Sequence, residues 1–129
     1  MFKRITLLTL AWVLLLTSVV QAQPDRLDAW YRGYNEKYFN NELPKEITIT
    51  HDLRDNRFQA WTQRLGDSFH VAFNPLYNLA SGTERLTLLH ELCHIRNFVE
   101  SETEFDDHGP KWQSCMHDLA HKGAFDELW

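Results

Sequence analysis

The spacing of hydrophobic residues predicts a helix near the amino end of the chain. Between Asp25 and Phe39, apolar and aromatic side chains recur at the 3.6-residue period of a helix, with charged side chains between them. The following segment, "NNELP", contains residues that break helices. The positions that define the apolar face are Leu27, Trp30, Tyr31, Tyr34 and Tyr38.

Three short segments after this helix have the alternation that is typical of strands. They are "EITIT" at 46–50, "RFQAWTQ" at 57–63 and "SFHVAFN" at 68–74. The residues "RLGDS" between the last two segments are typical of a tight hairpin turn. We therefore predict a three-stranded, mainly antiparallel sheet in which consecutive strands are neighbours.

Two more helices are predicted in the second half of the chain. The first begins near Ser81, which together with Glu84 has the spacing of a capping box. Its apolar stripe consists of Leu88, Leu92, Ile95 and Val99. After the acidic stretch "ESETEFDDHG", the last helix is predicted to begin at Pro110 and to end near Gly123. Its buried residues are expected to be Trp112, Cys115, Met116 and Leu119. One helix, three strands and two helices indicate an α+β domain.

The first 22 residues have the parts of a secretory signal peptide. Lys3 and Arg4 precede an apolar run over residues 5–20, and Val20-Gln21-Ala22 supplies small residues at the cleavage site. We predict a signal peptide over 1–22, a mature domain over 23–129, and a secreted or periplasmic location. The alternative is an uncleaved membrane anchor, for which the apolar run is short because a full span needs roughly 20 residues.

The charge of the mature chain disfavours binding to nucleic acid. Without Lys3 and Arg4, 11 of the 13 basic side chains remain against 18 acidic ones, which gives a net charge near −7. No run of Lys and Arg follows Arg4, so no basic patch is predicted that would attract phosphate groups. Contact with a membrane is expected only through the N-terminal segment, if it is uncleaved.

Two cysteines are present, Cys93 and Cys115. In an oxidising compartment they can form a disulfide bond that joins the two C-terminal helices. Alternatively, both are small residues of the hydrophobic core. The sequence leaves both interpretations open.

The segment "HELCH" at 90–94 has the residues of a zinc site with its own base. On a helix, His90 and His94 lie about 40° apart on one face, near enough to bind one small ion. Glu91 lies about 60° of helix rotation from His94, so it can flank the ion without binding it. Zinc lowers the pKa of bound water, and a neighbouring carboxylate can accept the proton that the water releases. A coincidental pair of surface histidines is the alternative.

A catalytic zinc site needs a third protein ligand and one open position. His108 is the best candidate because Gly109-Pro110 follows it directly, and a tight turn there can direct its ring toward the first two histidines. The acidic residues are expected to form a solvated loop, and His117 and His121 to lie on the surface. The residues considered for this role are Glu100, Glu102, Glu104, Asp106, Asp107, His108, His117 and His121.

Several motifs, in their order along residues 25–121, resemble those of the SprT-like zinc metallopeptidase family. They are "KYFNNELP", "FQAWTQ" with "FHVAFNPLYN", "LTLLHELCHIRNF" and "DDHGPKWQSCM". The resemblance implies a small zincin-like domain, with His90, His94 and His108 as ligands of one Zn²⁺ and Glu91 as catalytic acid/base. It also implies a sheet edge that binds an extended peptide. Many members of this family continue into a cysteine-rich zinc ribbon and act on DNA-associated proteins. This acidic sequence, with its predicted export signal, has no ribbon cysteines, so a DNA-linked role is not implied.

These patterns together predict a zinc-dependent endopeptidase that acts outside the cytoplasm. Zinc-bound water, activated by Glu91, is expected to hydrolyse peptide bonds in a protein or peptide substrate. The alternative is a non-catalytic zinc-binding module that binds a partner peptide or an envelope protein. The carboxylate of Glu91 favours the enzyme, because a purely structural zinc site has no need of it.

Overall fold

The computed structural model describes residues 26–100 and 107–128. The elements are α1 (Arg26–Phe39), β1 (Thr48–Thr50), β2 (Ala60–Leu65), β3 (Ser68–Phe73), α2 (Ser81–Glu100) and α3 (Pro110–His121). Their order confirms the predicted α+β class. The predicted signal peptide lies outside the described residues. Within the two described ranges, no helix has the length and apolar character needed to cross a bilayer.

The sheet is mixed, so the prediction of a mainly antiparallel sheet was wrong. β3 is the central strand: β2 pairs with it antiparallel, whereas β1 pairs with its other edge in the parallel direction. The alternating pattern indicates which side chains are buried, but it does not indicate which edge a strand joins. Residues 51–59 connect β1 to β2 and are long enough to carry the chain from one side of β3 to the other.

The burial of each strand explains this order. β3 is the most apolar strand, and its central position protects both of its edges. Its buried residues are Phe69, Val71, Ala72 and Phe73. β2 is mostly exposed and lies at the edge of the sheet. The predicted tight turn between the two strands is confirmed, with Gly66 at φ +63°, where a residue without Cβ avoids strain. The edge position leaves one row of β2 backbone groups unpaired within the sheet.

The segment "NNELP" ends α1 and is fixed against it. Asn40 and Asn41 both have positive φ, a conformation that asparagine tolerates better than most residues. The buried side chain of Asn35 donates a hydrogen bond to the Leu43 carbonyl and accepts one from the Leu43 N–H, both at 3.1 Å. These two bonds hold the segment after α1 against that helix, shortly before β1 begins.

A single cluster of buried side chains joins the helices to β3. α2 contributes the most residues to this cluster, and its Leu88, Leu89, Leu92 and Ile95 are fully buried. From α1 and the segment after it, the cluster includes Leu27, Tyr31, Tyr38, Phe39 and Leu43. Val99, the last residue of the predicted stripe, is exposed because it lies in the final turn of α2, beyond the core. The core therefore fixes the middle of α2, where the "HELCH" segment lies.

α3 packs beside α2, and a disulfide bond between Cys93 and Cys115 joins them. Of the two interpretations that the sequence leaves open, the structure contains the bond. The helix begins at Pro110 as predicted, and Gly123, at φ +76°, follows its last turn. Cys93 lies between His90 and His94 on α2, within one helical turn of each. The disulfide bond therefore attaches α3 to α2 next to both histidines.

Candidate metal centre

Three imidazole rings converge at the surface of α2. His90 and His94 lie on successive turns of this helix, and His108 lies in the turn before α3. The Nε2 atom of His90 is 3.1 Å from Nε2 of His94 and 3.1 Å from Nε2 of His108. The structure thus brings together the three histidines that were singled out in the sequence.

The separations between these nitrogens fit a small tetrahedral ion. Zinc binds imidazole nitrogen at about 2.0–2.1 Å, and tetrahedral angles then place two ligand nitrogens about 3.3 Å apart. The observed distances of 3.1 Å are close to this value. Among residues 26–100 and 107–128, no other group of three His, Cys, Asp or Glu side chains converges in this way. Three protein ligands leave one tetrahedral position open.

Burial keeps the two helix histidines in the neutral form that a metal requires. It lowers the pKa of His90 to about 4, and the positive charge of His108 acts in the same direction. Burial also lowers the pKa of His94 to about 4, with further repulsion from His90 and His108. At pH 7 both rings therefore have a nitrogen lone pair available for a cation.

Trp112 and Asp107 surround the three rings. The Trp112 ring lies 4.6 Å from His108, 4.8 Å from His90 and 5.8 Å from His94, measured between ring centroids. Its indole N–H donates a hydrogen bond to the His90 carbonyl at 3.3 Å. A carboxylate oxygen of Asp107 lies 3.3 Å from Nδ1 of His108. This contact fixes the orientation of the ring and leaves Nε2 directed at the other two histidines.

The turn before α3 places His108. Gly109 is the N-cap residue, and Pro110 occupies the first turn, where its missing N–H leaves no hydrogen bond unmade. Gln113, in the first turn of α3, stabilises this turn with two hydrogen bonds. Its side-chain amide donates to the His108 carbonyl at 2.9 Å, and its backbone N–H donates to the Gly109 carbonyl at 2.9 Å.

Glu91 is buried beside the histidines, with only 3% of its surface exposed. The hydroxyl of Thr62 donates a hydrogen bond to its Oε2 atom at 2.6 Å, and its Oε1 atom lies 4.0 Å from Nε2 of His90. Burial raises the pKa of Glu91 to about 7, against the opposing effect of the Thr62 hydrogen bond, and the negative charge of Asp107 adds to the increase. A carboxyl group with this pKa can accept and release a proton near neutral pH.

Comparison with known protein families gives one match. The sequence model of the SprT-like family matches residues 27–126, which include the three histidines and Glu91. The chain belongs to the SprT-like family. A search of curated proteins finds no match to it.

A cleft of about 920 Å³ in this SprT-like domain is lined by residues of β2 and α2 and by the three histidines. Its apolar lining consists of Phe58, Ala60, Trp61, Leu86, Phe98 and Met116. Asn78 links α2 to the residue just before β2, because it donates to the Gln59 carbonyl at 2.9 Å and accepts from the Thr87 hydroxyl at 2.8 Å. Within β2, Thr62 contacts Glu91. β2 therefore runs alongside α2, with its unpaired edge beside the candidate metal centre.

Asp107 lies beside His108, and the remaining candidate ligands lie apart from this centre or outside the described residues. His117 and His121 are exposed on α3, as predicted. Glu100 accepts a hydrogen bond from Arg96 at 2.6 Å. Residues 102, 104 and 106 lie outside the described ranges.

Two residues of the SprT-like site were not assigned a role from the sequence. Trp112 was predicted only as a buried residue, although its position in "HGPKW" beside His108 is a usable signal. Thr62 has no such signal, because its contact with Glu91 joins residues 29 positions apart. Only the tertiary structure brings those two side chains together.

Proposed function

We propose that this SprT-like protein is a zinc-dependent endopeptidase that acts outside the cytoplasm. The observation that carries the proposal is the position of buried Glu91 beside three converging imidazoles, on the wall of an open cleft. His90, His94 and His108 would hold the ion. Zinc, when bound, supplies a Lewis acid that polarises a carbonyl group and lowers the pKa of water.

Glu91 supplies the proton transfers in this proposal. Its Oε1 atom accepts a proton as the oxygen of water forms a bond to the peptide carbonyl carbon. The same carboxyl group then gives the proton to the amide nitrogen as the carbon–nitrogen bond breaks. Burial of Glu91 raises the pKa of its carboxyl group, which makes it a better proton acceptor than an exposed glutamate.

The free edge of β2 supports an extended peptide as the substrate. The Gln59 carbonyl accepts a hydrogen bond from the N–H of the opposite residue, Asn74, at 2.8 Å. Bonded and non-bonded pairs alternate along antiparallel strands, so the backbone groups of Ala60, Thr62 and Arg64 point away from β3. A peptide that pairs with these groups by strand addition would lie along the cleft, beside Glu91.

Two features support a location outside the cytoplasm. Residues 1–22 have the pattern of a signal peptide. The Cys93–Cys115 disulfide is of a kind that persists in oxidising compartments and is rare in the cytosol. An exported, acidic chain is expected to act on protein or peptide substrates and not on DNA-bound ones.

Replacing Glu91 with Gln tests the proposed activity. The variant should bind zinc as the wild type does, while its cleavage of unfolded casein should fall by roughly 10²–10⁴-fold, the usual contribution of a general base. Glu100→Gln is the matched control on the same helix, since Glu100 lies outside the cleft, and it should cleave normally. Undiminished cleavage by zinc-loaded Glu91→Gln would refute the role of Glu91.

A further inference from the structure

We infer that Thr62 is a positioning residue that holds the Glu91 carboxylate in the orientation needed for proton transfer. This inference rests on the proposed peptidase function and deepens it. The observation behind it is that the two oxygens of the Glu91 carboxylate have different surroundings. Oε2 accepts the Thr62 hydrogen bond at 2.6 Å, whereas Oε1 is the atom nearer the histidines, 4.0 Å from Nε2 of His90.

Because of this hydrogen bond, the two oxygens of the Glu91 carboxylate have different roles. A hydroxyl group that donates to one oxygen fixes the rotation of the carboxylate about its terminal bond, a torsion that is otherwise broad. The other oxygen is then directed at the space beside the three imidazoles, where the reacting water must lie. Hydrogen bonds from a hydroxyl to a carboxylate are short and strong, and the 2.6 Å distance is in their usual range.

Thr62 is itself held in place by the sheet. It lies in the middle of β2 and pairs with Val71, a fully buried residue of the central strand. A threonine side chain is branched at Cβ, which restricts its χ1 angle and limits the positions that its hydroxyl can take. The donor to Glu91 is therefore fixed by the backbone of β2, where that strand contacts α2.

The same residue faces the proposed path of the substrate. The backbone N–H and C=O of Thr62 point to the free edge of β2, while its side chain points to Glu91. A peptide paired with this edge would consequently lie at a fixed distance from the base. Fixed geometry of this kind contributes strongly to rate, because the reacting groups need not be ordered during the reaction.

Two isosteric pairs of side chains test the role of the hydroxyl. Thr62→Val keeps the shape of threonine and removes the hydroxyl, and Thr62→Ala differs from Thr62→Ser in the same way. We expect kcat for casein-derived peptides to fall about 10-fold to 100-fold in the Val and Ala variants. KM and zinc content should stay within about twofold of the wild-type values, and Thr62→Ser should recover kcat to within about threefold.

Thr50→Val is the matched control on the same sheet. The Thr50 hydroxyl also donates to a carboxylate, that of Asp52 at 2.5 Å, but Thr50 does not line the cleft. This variant should keep the wild-type kcat. If Thr62→Val does not fold, the comparison of Ser with Ala at position 62 decides the question alone.

The outcomes separate this inference from the proposed function. If kcat follows the size of side chain 62 and not the presence of a hydroxyl, or if Thr62→Val keeps full kcat, the positioning role is wrong while the peptidase stands. If zinc-loaded Glu91→Gln cleaves as fast as the wild type, the peptidase mechanism itself is wrong.

Discussion

The two parts of the candidate metal centre are held by different means. His90, His94 and Glu91 lie on α2, whose middle packs against the core; His94 and Glu91 are only 9% and 3% exposed, and His90 is half-buried. His108 lies on a turn, and 48% of its side chain is exposed. Its position depends on contacts with Trp112, on Gln113 and on the disulfide, in addition to its own backbone. The helix part is therefore built into the fold, whereas the His108 part depends on α3 remaining docked.

Removing single ligands is the strongest way to test this difference. We expect His94→Ala and His108→Ala each to weaken zinc binding by more than the roughly 10–100-fold typical of changes around a metal ligand. The loss should be larger for His94→Ala, because it destroys the ligand pair that α2 holds in place. His90 and His94 remain together in His108→Ala.

Competition with a chromophoric chelator measures both affinities. His117→Ala is the matched control, because His117 is an exposed histidine on α3 away from the centre, and it should bind zinc normally. Equal losses for His94→Ala and His108→Ala would contradict the distinction between the two parts.

Removal of the disulfide should affect the His108 part selectively. The bond joins residues 22 positions apart, and loss of such a cross-link costs about 3 kcal/mol of folding stability. In Cys93→Ala/Cys115→Ala, we expect a lower Tm and, well below that Tm, zinc binding that is weakened by roughly 10-fold. Thermal unfolding and chelator competition on the same sample measure the two effects. Unchanged zinc affinity in the folded double variant would show that α3 docks without the bond.

The pH dependence of stability tests the burial of the helix part. The pKa of Glu91 is raised from 4.5 to about 7 in the folded protein, so its contribution to stability is complete below pH 4.5 and is lost as the pH rises through 7. Relative to the metal-free Glu91→Gln variant, the metal-free wild type should therefore become less stable between pH 4.5 and 8. The change should be on the order of 2–3 kcal/mol.

Urea unfolding of both metal-free proteins across this pH range measures the difference. The lowered pKa values of His90 and His94 give the opposite trend, since stability from these groups is lost as the pH falls through about 4. Both proteins contain these histidines, so their effect cancels in the comparison. A stability difference that does not change with pH would mean that the Glu91 carboxyl group is not desolvated.

How far the sequence predicts the structure depends on whether a feature is local. The helix that carries His90, Glu91 and His94 follows from its apolar spacing. The limits of α3 follow from Pro110 at its start and from Gly123 just after its last turn. The order of the strands does not, because the choice of edge for β1 depends on which strand can be buried on both sides. The histidine before Gly109 could be singled out, but its approach to α2 depends on tertiary contacts between α2 and α3, among them the Cys93–Cys115 bond.

The role of Thr62 shows the same limit at the level of one side chain. In the sequence, Thr62 looks like any threonine on a half-exposed strand, and the preference of threonine for strands is enough to explain its presence there. Its hydrogen bond to Glu91 exists because β2 runs beside α2. The periodicity of hydrophobic residues does not predict which strand lies beside which helix. Trp112 lies between these two cases: helical spacing predicted a buried residue and the structure makes it a partly buried one, but its contact with three imidazoles was not predictable.

We propose that three imidazoles share one ion and leave one coordination position open. X-ray absorption spectroscopy of the zinc-loaded protein measures this directly. We predict three imidazole nitrogens and one oxygen at about 2.0–2.1 Å, and one imidazole fewer in His108→Ala. A first shell with sulfur or with a fourth imidazole in the wild type, or a spectrum unchanged by His108→Ala, would contradict the account.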